Sequence, residues 1–125
     1  MTEFVEVNTQ DLSGAALDWA MAKAEALDFE PYFARYRQCW EMHAVRSGYN
    51  PERKVYVFEP STDWAQGGRL IEKHVTALNQ SGTESWWAHA EDRLGQGPTP
   101  LIAACRAIVA SVIGDIASVP KELLP

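Results

Sequence analysis

One short run of the sequence, PSTDWAQGG from Pro60 to Gly68, brings hydroxyl, carboxyl, indole and amide side chains together, with Arg69 directly behind. Ser61, Thr62 and Asp63 each carry an oxygen able to accept from the free amides of a helix's first turn. Asp63 and Gln66 have a loose capping-box spacing. Gly67 and Gly68 either open backbone conformations that other residues resist or let a neighbouring group come close. Read as structure, the run is a strand-to-helix connection with Trp64 tucked into the core. Read as function, it is a binding loop. Trp64 is then an apolar anchor and Asp63, Gln66 and Arg69 are polar contacts, with Ser61, Thr62, Gly67 and Gly68 completing the surface.

Other chemistry is harder to assemble. Cys39 and His43 would stand one turn apart on a helix, a spacing that suits a metal, with His74, His89, Glu72 or Glu91 to complete the set. No second half-motif with zinc spacing accompanies them, so no metal site is assigned; Cys39 reads as core and His43 as surface. The Ser and Cys residues lack a strand-turn-helix elbow. Gly95-Gln96-Gly97 is too short to cradle a phosphate and has no lysine. Glu91 and Asp92 are sequence neighbours, so on a strand they would face opposite ways. These residues give no catalytic assignment and imply no cofactor.

The elements that would position the Pro60–Arg69 run follow from pattern. Phe4–Val7 reads as a short strand. Thr9 or Ser13 caps a helix running to about Leu27, with Leu12, Ala16, Trp19, Ala20, Lys23 and Leu27 at three- and four-residue spacing. Pro31 suits the first turn of a second helix, Pro31–Val45, in which Phe33, Tyr36 and Trp40 recur; the alternative is a pair of short strands. Tyr49–Glu52 is a turn, and Lys54–Glu59 alternates as a strand. Trp64–His74 is a short helix. Val75–Asn79 and Ser85–Ala90 form a hairpin about Gln80–Thr83. Gly95–Pro98 reads as a loop.

Thr99 caps a final helix that starts at Pro100 and stops at Gly114. Its apolar face, Leu101, Ala104, Cys105, Ile108 and Val112, demands burial against a sheet. Trp86 and Trp87 must point to opposite sides of their strand, one into the core and one outward, where a helix or partner subunit would cover it. The expectation is one α+β domain over residues 1–125. It would hold a small antiparallel sheet of three to four strands packed by two main helices, in the rough order β-α-(α)-β-α-β-β-α. Its α-β-β-β-α centre has the topology of double-stranded-RNA-binding domains, but not their basic patch.

Composition narrows the classes. The chain has 125 residues, 46% of them apolar and 22% charged, which suits one globular core. With 17 acidic and 11 basic residues the net charge is −6, which disfavours nucleic acid as a partner. Two cysteines, the absence of a basic-then-apolar leader and no long apolar span point to a cytoplasmic chain that is not bound to membrane.

Three blocks, LSGAALDWAMAKAEAL, PSTDWAQGGRLIEKH and GPTPLIAACRAIVASVIGD, in this order, resemble the NinX family of small lambdoid phage and prophage proteins. The match runs through Leu12, Gly14, Asp18, Trp19, Ser61, Thr62, Asp63, Trp64, Gly67, Gly68, Pro100 and Arg106. The stretch Asp28–Lys54 is longer than that pattern. The resemblance implies a phage or prophage origin and, since the family has no known activity, brings none. The sequence as a whole leads to the expectation of a non-enzymatic accessory protein that binds another protein through residues 60–69. A homodimer, a nucleic-acid role in phage replication or recombination, and a small enzyme stand behind it.

Overall fold

The structure, a computed structural model, describes residues 3–44 and 57–125. Three small antiparallel sheets surround three helices. The chain runs β1 (Phe4–Asn8), α1 (Gly14–Ala24), β2 (Phe29–Ala34), β3 (Cys39–Ala44), β4 (Val57–Phe58) and α2 (Trp64–His74). It continues through β5 (Val75–Gln80), β6 (Trp86–Ala90), β7 (Arg93–Gly97), α3 (Pro100–Val112) and β8 (Ile116–Pro120). The first sheet pairs β1 with β8, the second is ordered β2-β3-β4 and the third β5-β6-β7.

α3 lies at the centre. Thr99 Oγ1 accepts from Ile102 N at 3.1 Å to cap it, Pro100 opens it, and Gly114, at φ 117°, ends it. Small residues make the helix narrow: Ala103, Ala104 and Ala107 are fully buried beside Ile108 and Val109. One side packs on β6 and β7, another on α1. α1 contributes Leu17, Ala20 and Met21, each without exposed surface. It ends at Ala24 rather than Leu27, because Ala26 adopts φ 55° and Leu27 N turns back to Ala22 O at 2.9 Å.

The architecture is α+β, but the order differs from expectation at three places. The expected helix Pro31–Val45 is the β2–β3 hairpin over its described part. Phe33 and Trp40 recur because they are cross-strand partners, with rings 5.4 Å apart. Phe29, Pro31 and Phe33 alternate with Glu30 and Tyr32, a period of two that fits the aromatic content. Pro31 is tolerated because β2 is an edge strand, where a missing amide hydrogen breaks no ladder.

The expected loop Gly95–Pro98 is largely strand β7. A Cβ on Gly95 would stand 2.2 Å from Ala103 O and 2.3 Å from Ala107 N, so the strand needs glycine where α3 crosses it. The third difference is β8, which pairs with β1 throughout its length. Instead of one sheet of three to four strands there are three sheets among the described residues, while the two main helices and the short helix Trp64–His74 are as expected. The turn Tyr49–Glu52 and most of the strand Lys54–Glu59 lie outside the described residues.

Two long-range braces lock the N-terminal segment onto the α3–β7 unit. Arg106 donates from Nε to Leu12 O at 2.8 Å and from its guanidinium to Gln96 O at 2.7 Å. Gln10 donates to Leu94 O at 2.9 Å and accepts from Gln96 N at 3.1 Å.

Candidate functional site

The Pro60–Arg69 run joins β4 to α2, and its own side chains fold it. Asp63 caps α2 by accepting from Ala65 N at 2.9 Å. Gln66 reaches back from the first turn. Its amide donates to Val57 O at 2.9 Å and to the second Asp63 oxygen at 3.1 Å, while its carbonyl accepts from Glu59 N at 2.8 Å. Asp63 and Gln66 therefore spend most of their polar capacity within the loop. Thr62 and Arg69 remain exposed.

The two glycines divide the roles that the sequence left open. A Cβ on Gly67 would stand 2.4 Å from Pro60 O and 2.5 Å from Leu101 Cδ2, so this residue lets α2 close against the loop and α3. Gly68 has nothing within 4 Å of the same position. Neither glycine has a positive φ, so the pair serves close approach at one residue and backbone freedom at neither.

Trp64 is 56% exposed. It is not tucked into the core. An open cavity of about 420 Å³ is lined by Phe58, Asp63, Ala65, Gln66, Arg69 and Leu70, without Trp64, so the ring and the cavity are separate features of the run. Trp86 packs on the core, while Trp87 lies edge-on to His89 with rings 5.2 Å apart. No ring contact joins either to Trp64 among the described residues.

Three contacts fix this loop and helix against α1 and its C-cap. At one end the Ser61 amide donates to Asp18 Oδ1 at 3.0 Å, in the interior. At the other, Lys73 Nζ meets Glu25 Oε2 at 3.0 Å and His74 Nε2 meets Glu25 Oε1. Burial pushes the Asp18 carboxyl up to about 7; the Ser61 hydroxyl and amide oppose the rise, and the nearby Glu59 charge adds to it. The Ser61 hydroxyl is buried beside this carboxyl without well-formed hydrogen-bond geometry. The Asp18–Ser61 contact was absent from the sequence reading. Its one local signal is the single carboxylate of the helix GAALDWAMAKA, whose other residues, Lys23 apart, carry no charge.

The chemistry considered elsewhere resolves differently. On β3, Cys39 and His43 share a strand face with Glu41 between them. Glu41 is taken up by Arg37 at 2.6 Å and His43 at 3.0 Å. Those contacts, His43 first, hold its carboxyl below the usual range even though burial opposes them. Among the described residues no group of three or more His, Cys, Asp and Glu is arranged to hold a metal. Cys39 and Cys105 are both free thiols, and burial raises that of Cys105 far above its ordinary value. None of the residues with displaced titration, Asp18, Arg37, Glu41, Cys105 and Arg106, lines the cavity along α2. No described helix is long and apolar enough to cross a membrane.

Fold and site together define a small α+β module that presents an exposed tryptophan at the start of α2 and, separately, an open cavity along that helix. The family model described as Bacteriophage P22, NinX matches residues 8–112, and the chain belongs to that family. It is a phage accessory protein, and the matched region contains α1, the Pro60–Arg69 run and α3. A comparison with curated proteins returned no match.

Proposed function

We propose that this accessory protein acts by binding another protein through the Pro60–Arg69 run, with the exposed Trp64 as its anchor. The observation that carries this reading is the exposure of Trp64 on a loop that is otherwise internally braced. A large aromatic ring held in water at the start of a fixed helix is the kind of anchor that dominates protein interfaces. Arg69, exposed later in the same run, supplies a positive charge. The loop is already ordered by Asp63 and Gln66, so binding would cost little conformational entropy.

Co-purification from prophage-bearing or infected cells tests the reading. Wild-type protein should retain a phage or host protein that Trp64→Ala and Arg69→Glu both lose, with circular dichroism and thermal melting unchanged. Equal recovery of every protein by wild type and variants would sink the proposal. Unfolding of Trp64→Ala would assign the ring to the core instead.

A further inference from the structure

A second surface lies on the β2–β3 hairpin. Alternation sends Phe29, Phe33, Trp40 and Met42 to one side, where Phe29 stacks on Phe58 at 4.6 Å and Met42 is buried. The other side carries Tyr32, Glu41 and His43, with Arg35, Tyr36 and Arg37 in the connecting turn. Tyr32 is 53% exposed and Tyr36 81% exposed, unusual values for aromatic rings that a monomer could have covered. The Tyr32 ring is not loose: it stacks on His43 with centroids 4.3 Å apart and planes 19° from parallel.

Charge is arranged on the same side. Glu41 lies beneath Arg37 and His43, and the Tyr36 hydroxyl donates to it at 3.5 Å, so its charge is neutralised and covered. Arg37 stays half-exposed while held by that carboxylate and 4.0 Å from Glu59, and Arg35 has no side-chain partner among the described residues. The turn end of the hairpin thus carries two guanidinium groups, and the carboxylate on this face nearest to them, Glu41, is buried. Glu30 marks the acidic limit of the face, so an anionic ligand would run from Tyr32 towards the turn.

We propose that this face binds single-stranded nucleic acid, with bases stacking on Tyr32 and Tyr36 and the backbone following Arg35 and Arg37. Exposed rings interleaved with guanidinium groups match the requirements of an unpaired strand, whose bases have free π-faces and whose phosphates need cations. A duplex keeps its base faces stacked inside and cannot use the tyrosines. A peptide adding as a strand would need the edge of β2, and Pro31 blunts that edge by lacking an amide hydrogen.

The test is fluorescence anisotropy with a labelled oligothymidylate of roughly 20 nucleotides, longer than a site of about 4–16. A duplex of equal length and polyglutamate serve as competitors. Wild-type protein should bind the single strand at low salt, with an affinity that falls as salt rises. Tyr36→Ala and Tyr32→Ala should each weaken it roughly 5- to 100-fold. Arg35→Glu should weaken binding and flatten the salt dependence, while Lys121→Ala leaves it unchanged. Circular dichroism establishes that each variant is folded. Absence of binding at low salt, indifference to Tyr36→Ala and Arg35→Glu, equal binding of the duplex, or equal competition by polyglutamate would each overturn the proposal. All of these readings are independent of the Trp64 surface and its partner.

Discussion

The backbone amide of Ser61 donates to Asp18 Oδ1 at 3.0 Å, joining two residues 43 positions apart inside the protein. This bond sets the loop that carries Trp64 against α1, and it gives the protein a buried group that titrates near neutrality.

Asp18 makes stability depend on pH. Its carboxyl rises from 3.8 to about 7 on folding, so between these values the folded state holds more proton than the unfolded one. The contribution of protonated Asp18 is complete below about 3.8 and is lost as pH climbs through 7. At 1.36 kcal/mol per pH unit of displacement, the loss is on the order of 4 kcal/mol. Asp18→Asn stays neutral and can still accept from Ser61. Urea unfolding should find the variant more stable than wild type at pH 8, with the two converging near pH 4. Parallel curves would contradict this. Glu41, whose carboxyl is lowered, acts in the opposite sense and only in acid.

Gly67 and Gly68 should respond oppositely to the same change. Gly67→Ala forces a methyl against Pro60 O and Leu101, and overpacking of this kind costs about 1–3 kcal/mol. Gly68→Ala meets open space within a helix and should stabilise by about 0.5–1 kcal/mol. Thermal melting of the pair decides it, since both variants make the same chemical change.

Gln66→Leu removes three hydrogen bonds from the loop and leaves the Glu59 amide without its acceptor. At about 1 kcal/mol per bond, a loss of roughly 2–3 kcal/mol is expected. Hydrogen exchange at the Glu59 amide should quicken as the loop loosens. If exchange stays at its wild-type rate, Gln66 is not the brace.

Arg106→Lys tests the link between α3 and the N-terminal segment. An ammonium cannot copy the fork that reaches Leu12 O and Gln96 O together, so retaining the charge should not retain the stability. Chemical denaturation should show a loss of about 1–3 kcal/mol. A variant as stable as wild type would show that charge alone matters at this position.

How much of this was legible in sequence depended on how local each cause is. α2 and its cap are written in consecutive residues, and their spacing predicts Trp64–His74, the range observed. The Thr99 cap and apolar run of α3 are equally local. The β2–β3 hairpin was misread because Phe33, Tyr36 and Trp40 satisfy helical spacing as well as they satisfy a tight hairpin. β7 was hidden because Gly95 and Gly97, which lower strand propensity, are required by the closeness of α3. The exposure of Trp64 and the Asp18–Ser61 contact depend on which elements meet, and no local pattern encodes that.

The pairing of β1 with β8 has a consequence for how the protein is made. Asn8 leaves the ribosome long before its partner Ile116 exists. At about 5–20 residues per second, the intervening synthesis takes on the order of 5–20 s. Throughout that interval β1 has an unsatisfied edge, and Gln10 and Leu12 lack the partners that later hold them. The first sheet therefore closes only after synthesis has passed β8, and a product cut short before that strand cannot close it.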